Sequence, residues 1–264
     1  MAFDRLGGSG GKKQILSIHI PKTAGISLAQ VYLARYGYDA VCFFYNHRFF
    51  KKPPEGVGET VVATPPAAAM ARERLIRSPL AASIARFLSR YLTNPPPVLS
   101  KFPADVAVIH GHFRVEPAVK DQYTLVTVLR EPLQRVHSLY RYMRRRQRED
   151  EPTPRWWYPE MTFMDMARLP QNRNAQWRYL NGLQVDDFAH IGVTEHLEAF
   201  VKQITPGSGQ RLPHQNVAPQ EPLELSDREL AEFRKLNQKD YILYERVLNR
   251  VLAETHTTTP SLAL

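Results

Sequence analysis

A short apolar run that ends in a polar loop and leads into a helix constrains the fold more than any other feature of this sequence. Residues 14–27 read QILSIHIPKTAGIS, so the apolar run stops at Pro21 and an amphipathic, helix-like pattern begins near Ile26. Strand, tight loop and helix N-terminus form a geometry that binds phosphate, because the free N–H groups of the first helical turn point at the anion. The residues predicted to bind such a group are Lys22, Thr23, Ala24, Gly25, Ile26 and Ser27.

This loop differs from a Walker A loop, which requires G-x-x-x-x-G-K-[ST] after a strand. The only comparable glycines precede Lys12 and Lys13, and the first predicted strand lies after them. We therefore interpret residues 1–13 as a flexible tail. A solvated lysine at the end of a strand is the alternative interpretation of Lys22.

A second unit of the same kind lies further along the chain. The run YTLVTVL at 123–129 is typical of a buried parallel strand, and Pro132 suits the first position of a helix. Arg130 ends the strand with a guanidinium that can bind an anion through two hydrogen bonds, and Ser138 adds a hydroxyl from two turns into the helix. We predict a second anion subsite here. A salt bridge from Arg130 to a neighbouring carboxylate is the alternative.

Two histidines follow a third predicted strand, DVAVI at 105–109. His110 stands where a P-loop nucleotidase often has a Walker B aspartate, which argues against magnesium-dependent phosphoryl transfer. Because imidazole takes up a proton near neutral pH, His110 and His112 are candidate general bases. A structural histidine and half of a zinc site remain as alternatives, although no cysteine pair or third ligand is evident nearby.

The three segments resemble a known family when they are taken together. Its strongest matches are HIPKTAGIS at 19–27, HGHFR at 110–114 and LREPLQRVHSLYRY at 129–142, and weaker ones are NRNAQWRYLNG at 172–182, IGVTEHLEAF at 191–200 and DYILYERV at 240–247. These motifs resemble those of carbohydrate sulfotransferases that use 3′-phosphoadenosine 5′-phosphosulfate (PAPS), and most of all the uronosyl (heparan sulfate) 2-O-sulfotransferase branch. The resemblance runs through most of residues 14–250.

The resemblance implies a P-loop-like fold, PAPS as the sulfuryl donor, adenosine 3′,5′-bisphosphate (PAP) as the product and no metal. It implies that residues 22–27 bind the 5′-phosphosulfate and that Arg130 and Ser138 bind the 3′-phosphate. Lys22 would stabilise the charge that grows on the leaving phosphate oxygen. One of His110 and His112 would take the proton of an acceptor hydroxyl on a glycan or similar molecule. A P-loop-like kinase and a non-catalytic binder of acidic glycans are the alternative functions.

Charge and aromatic residues bear on the acceptor. The formal net charge of +9 favours anionic ligands, here the nucleotide and an acidic acceptor. Nucleic acid is a rival explanation, but no nucleic-acid-binding module is recognisable, so we do not expect that partner. The candidate acceptor-binding residues are Arg114, Arg155, Trp156 and Trp157. The tryptophans can stack on a sugar or pack their loop onto the core, and both readings stay open.

Alternating strand-like and helix-like segments predict an α/β fold, in which a parallel sheet has helices on both faces and ligands bind at the carboxyl ends of the strands. The predicted strands are 14–20, 40–45, 105–110, 123–129 and 188–193, and the predicted helices are 26–36, 132–147, 160–169, 171–181 and 195–204. Thr194 is expected to cap the last of these helices, and Ser226 with Glu229 to form a capping box before a further one.

The 264 residues suit one domain, predicted at 14–254 with a variable insertion at 51–104 and a disordered tail at 255–264. The insertion includes an expected helix at 67–91. No run of 18 apolar residues occurs, so no transmembrane segment is expected. Cys42 is the single cysteine, which favours a reducing, cytoplasmic location. A soluble fragment of a lumenal enzyme is the alternative, and the sequence does not predict the oligomeric state.

Overall fold

A computed structural model describes residues 13–45, 48–50, 97–154, 156–206 and 222–257. The predicted N-terminal tail, the expected helix at 67–91, most of the insertion and residues 258–264 lie outside the described residues. The strands are β1 (Ile15–Ile18), β2 (Val41–Tyr45), β3 (Arg48–Phe50), β4 (Val98–Leu99), β5 (Val108–Gly111), β6 (Arg114–Val115), β7 (Thr124–Leu129) and β8 (His190–Val193). The α-helices are α1 (Gly25–Tyr36), α2 (Pro132–Arg148), α3 (Phe163–Ala167), α4 (Ala175–Leu180), α5 (Leu197–Ile204), α6 (Asp227–Leu236) and α7 (Gln238–Thr257).

The main sheet has the strand order β3-β2-β5-β1-β7-β8. Its strands pair in parallel except β3, which is an antiparallel edge strand. The predicted parallel sheet is therefore confirmed. After β1 the chain continues to β2 on one side of the sheet, and after β7 it continues to β8 on the other. The loops after β1 and β7 thus diverge, and ligands of open α/β sheets bind in the crevice that such a divergence leaves.

Both faces of this sheet are covered. On one face, Leu16 and Ile18 of β1 join a buried cluster with Leu180 of α4 and Val247 of α7. On the other face, the buried cluster contains Val126 and Val128 of β7 with residues of α1 and α5. Burial on both faces explains why these strands read as nearly continuous apolar runs, and it confirms the predicted helices on both sides. A third cluster joins α2, α3 and α6 and includes Val136, Phe163 and Phe233.

The capped start of one predicted helix agrees with the structure, and two other predicted helix ends differ. The capping box is confirmed, since Ser226 Oγ accepts from the Glu229 N–H at 3.4 Å and the Glu229 carboxylate accepts from the Ser226 N–H at 3.0 Å. The predicted Thr194 cap is wrong, because Thr194–His196 is a 3₁₀ turn and α5 begins only after it. The last helix extends to Thr257, into the segment expected to be a tail. No helix within the described ranges is both long and apolar enough to span a membrane.

Candidate anion-binding site

The loop after β1 contains two residues in left-handed conformation. The φ angles of Lys22 and Ala24 are 74° and 64°. Thr23 lies between them, is 1 % exposed, and closes the turn by donating from its hydroxyl to the Ile20 carbonyl at 2.9 Å. That hydroxyl hydrogen is used inside the loop, so Thr23 shapes the turn rather than offering a free side-chain donor to a ligand. Turns of this kind collect backbone N–H groups into anion-binding concavities.

The start of α1 has N–H groups available to a ligand. Among the residues that the structure describes, no side chain caps the helix, and Leu28 N–H donates to the Ala24 carbonyl at 3.1 Å. The N–H groups of Gly25, Ile26 and Ser27 precede that bond and lack an intrahelical acceptor, as at every helix N-terminus. Together with the positive end of the helix dipole, they favour an anion at this point.

Gly25 is required by packing. A Cβ atom at this position would lie 1.9 Å from Nε2 of His19, which stands at the exit of β1. The Gly25 carbonyl also accepts a hydrogen bond from Nε2 of His110 at 3.0 Å. His19, just after β1, and His110 of β5 therefore contact the first residue of the helix from two sides.

Lys22 is a partly buried cation among other cations. Burial lowers the pKa of Lys22 to about 8, and the charges of Arg130 and Arg145 act in the same direction. Its Nζ lies 4.4 Å from the centre of the Tyr142 ring. Among the described residues no carboxylate forms an ion pair with Lys22. An amine in this setting is stabilised by a bound anion, which disfavours the solvated-lysine interpretation.

One face of α2 turns toward this lysine. Tyr142, which Lys22 contacts, is four residues after Ser138 and three before Arg145, so the three share a helix face. Arg130 lies two residues before this helix, and its Nη1 donates to the Lys22 carbonyl at 3.4 Å. The structure thus brings the predicted residues Lys22, Arg130 and Ser138 to one end of the sheet, at the crevice between β1 and β7.

Arg130 itself is held by its main chain. Gln176 accepts from the Arg130 N–H and donates to the Arg130 carbonyl, each at 2.8 Å. Burial lowers the pKa of the partly buried guanidinium, whereas the carboxylates of Glu195 and Glu131 raise it. The alternative prediction was a salt bridge from Arg130 to a neighbouring carboxylate, and these two carboxylates attract the guanidinium in that way.

His110 is fully buried and both its ring nitrogens are occupied. Nδ1 lies 2.8 Å from Ser17 Oγ, and Nε2 lies 3.0 Å from the Gly25 carbonyl. Because a carbonyl only accepts, Nε2 carries the proton and Nδ1 accepts from the serine. Burial, aided by His112, lowers the pKa of His110 to about 3. His110 is therefore placed to hold the start of α1 and has no free nitrogen for an acceptor hydroxyl.

His112 has a different environment. Its Nε2 is buried and, within the part of the chain that the structure describes, has no hydrogen-bond partner. Burial lowers its pKa to about 4. The ring of His19 lies 4.5 Å from that of His112 and 5.1 Å from that of His110, and burial holds the pKa of His19 well below its usual value, as do the two other histidines and Lys22. Burial thus favours the neutral form of all three imidazoles.

The predicted acceptor-binding residues do not form one group. Trp157 is 7 % exposed, and its Nε1 donates to Gln147 Oε1 at 3.0 Å. Trp156 packs against the same apolar cluster, so the packing interpretation describes both tryptophans better than sugar stacking. Arg114 lies against the end of α4, where its Nη1 donates to Asn181 Oδ1 at 3.4 Å. Arg155 lies outside the described residues.

Sequence reasoning missed three residues at this site: His19, Tyr142 and Gln176. His19 stands inside the first motif, and Tyr142 follows Ser138 at helical spacing, so both had a sequence signal. Gln176 stands inside the weaker match at 172–182, but nothing local marked its role, because its contact with Arg130 joins residues 46 positions apart.

No family model matches the sequence, and no curated protein shows significant similarity to it. In the described ranges, no group of three or more His, Cys, Asp or Glu side chains is arranged to hold a metal ion.

Proposed function

We propose that this protein is a sulfotransferase with a P-loop-like fold, which moves a sulfuryl group from PAPS to a hydroxyl of a glycan or similar polyhydroxyl acceptor. One observation carries the proposal. Lys22 is a partly buried cation beside the start of α1, where no described side chain caps the helix, and the charged groups that shift its pKa are themselves cations. A phosphate or sulfate group would satisfy both the lysine and the free N–H groups of the helix start.

A second subsite supports a nucleotide with phosphates at two positions. Arg130 and Ser138 lie across the crevice from residues 22–27, at the exit of β7 and on the first turns of α2. The resemblance to sulfotransferases assigns the 3′-phosphate to this pair. The residue types present suit PAPS, and we propose the 5′-phosphosulfate at the loop and the 3′-phosphate at Arg130.

In this mechanism the chain supplies charge, orientation and a base. When bound, PAPS supplies the activated sulfuryl group. Lys22 and the N–H groups of Gly25, Ile26 and Ser27 are preorganised to stabilise negative charge on the departing phosphate oxygen, which is an electrostatic contribution that needs no rearrangement. We propose that these fixed groups make a metal unnecessary.

The base that we propose is His112, acting through Nε2. This nitrogen has no partner among the described residues, is neutral at pH 7 and can accept the acceptor's proton. A bound anion beside Lys22 would raise the pKa of this imidazole by favouring its charged form, so the base would become stronger when the donor is present. His110 then serves to hold Gly25 in place.

Nucleotide binding tests the proposal. Calorimetry should compare PAP with ADP and ATP, with and without magnesium. We expect tighter binding of PAP that does not depend on magnesium, because the second subsite recognises the 3′-phosphate. Magnesium-dependent preference for ATP would overturn the proposal and favour a kinase, and binding of acidic glycans without any nucleotide would favour a non-catalytic glycan binder.

A further inference from the structure

The side chain of Gln176 makes the two main-chain hydrogen bonds to Arg130 that a residue of a neighbouring strand would make. Arg130 is the first residue beyond β7, where pairing with β8 ends at Leu129 and Val193. Both main-chain polar groups of Arg130 are then paired with the Gln176 amide, each at 2.8 Å. Gln176 is 0 % exposed, so no water competes for these bonds. The amide has the same donor and acceptor as a peptide group and extends the hydrogen-bond ladder by one residue.

Gln176 is itself fixed because side chains at the starts of α4 and α7 each accept hydrogen bonds from the first N–H groups of the other helix. The buried Asp240 carboxylate of α7 accepts from the N–H groups of Gln176 at 3.1 Å and Trp177 at 2.8 Å, at the start of α4. In return, Asn174 Oδ1 accepts from the N–H groups of Lys239 at 2.9 Å and Asp240 at 3.2 Å, at the start of α7. The position of the Gln176 amide is thus set by the packing of α4 against α7.

The guanidinium of Arg130 is held more weakly than its main chain. The hydrogen bond to the Lys22 carbonyl is long, at 3.4 Å. The exposed carboxylate of Glu195 attracts the same guanidinium and accepts from the Glu131 N–H at 3.2 Å, close to Arg130. The direction of the Arg130 side chain therefore depends on the position of its main chain. If the main chain became mobile, the guanidinium could turn toward Glu195.

We infer that Gln176 is a positioning residue, which aims Arg130 at the 3′-phosphate and so sets the preference for 3′-phosphorylated nucleotides. This inference rests on the proposed function. It assigns the residue a role in specificity that acts through Arg130 rather than by contact with the nucleotide.

The test compares two nucleotides that differ only in the 3′-phosphate, PAP and AMP. Gln176→Met keeps an unbranched side chain of similar length and removes both bonds to Arg130. We expect the preference for PAP over AMP, measured by calorimetry, to fall about tenfold, which corresponds to about 1.4 kcal/mol. AMP affinity should stay close to that of the wild type.

Gln14→Met is the matched control. Gln14 Nε2 also makes two bonds to the main chain, at 2.7 Å to Pro103 and 2.6 Å to Val106, but just before β1 at the opposite end of the sheet. This variant should lose stability and keep the nucleotide preference. In an Arg130→Ala background, Gln176→Met should change the preference no further, as a double-mutant cycle requires of a residue that acts through Arg130.

The outcomes separate the two proposals. A wild-type protein that binds neither nucleotide, or binds both equally, overturns the proposed function. A wild type that prefers PAP, with a Gln176→Met variant that keeps the full preference, overturns the inference alone. If Gln176→Met does not fold, Gln176→Glu replaces it, since it keeps the shape and one acceptor but loses the donor to the Arg130 carbonyl. The preference must then fall as well.

Discussion

His110 and His112 are two residues apart and have different surroundings. His110 uses both nitrogens within the fold, one toward Ser17 and one toward Gly25. His112 has a buried Nε2 that no described group satisfies. The sequence predicted that a histidine base follows this strand, but it did not separate the two candidates. The hydrogen-bond partners of His110 come from β1 and α1, which no local pattern identifies.

The two histidines should respond differently to truncation. His112→Ala should lower turnover on a glycan acceptor by about 10²–10⁴-fold, the usual contribution of a general base, and leave the affinity for PAP unchanged. His110→Ala should weaken PAP binding as well, because it releases the Gly25 carbonyl at the anion loop. Turnover and the calorimetric dissociation constant distinguish these effects. Unchanged PAP affinity in His110→Ala, with normal turnover in His112→Ala, would contradict both assignments.

Among the elements, α4 and α7 illustrate what local sequence can and cannot reveal. The capping box of α6 was predicted because Ser226 and Glu229 are three residues apart and signal a helix start by themselves. The start of α4 was predicted several residues too early. Its N–H groups are satisfied by Asp240, 64 positions after Gln176, and no neighbouring residue signals that cap.

The reciprocal caps lead to a stability prediction at Asn174. This residue has a φ angle of 46° and supplies the cap of α7. Asn174→Gly keeps the backbone conformation accessible and removes the cap, so it should lower the free energy of unfolding by about 1 kcal/mol. Asn174→Ala adds the cost of a left-handed residue with a Cβ atom, which should lower the free energy of unfolding by about 1–2 kcal/mol more.

Urea denaturation of both variants checks this prediction. The difference between the alanine and glycine variants isolates the backbone cost, and the glycine variant alone measures the cap. A glycine variant as stable as the wild type would show that the cap on α7 contributes nothing to stability.

For the whole molecule, the arrangement of the sheet was the most predictable level of structure. Strand-like apolar runs that alternate with helix-like segments predicted parallel strands. The polar residues after those runs were therefore expected at one edge of the sheet, where the carboxyl ends of the strands lie. Lys22 and Arg130 do meet there. Acceptor binding was not predictable in the same way, because tryptophans in a loop have the same pattern whether they face a sugar or, like Trp157, the core.

The buried histidines predict how the stability of the whole fold depends on pH. In the folded protein the pKa values of His110 and His112 are about 3 and about 4, against 6.5 as the ordinary value. The unfolded chain therefore binds more protons below pH 6.5, so this contribution to stability is complete above that pH and is lost as the pH falls, to about 4 for His112 and about 3 for His110. Each histidine should remove about 1.4 kcal/mol per pH unit in this window.

Unfolding by urea at pH 7.5, 6 and 5 measures this dependence. Gln can replace the hydrogen bonds of His110, so His110→Gln and His112→Gln should each have a shallower slope of unfolding free energy against pH than the wild type. Slopes identical to that of the wild type would show that these imidazoles are not held neutral by the fold.

The hydrogen bonds from α4 to Asp240 make the last helix, α7, part of the unit that holds Arg130 in place. All three strong sequence motifs are complete by residue 142, and a chain that stopped before α7 would still contain each of them. It would lack the carboxylate that fixes the start of α4, and with it the support of Arg130 by Gln176. A shortened gene product of that kind would keep every strong motif, while Arg130, proposed to bind the 3′-phosphate, would lack the support of Gln176.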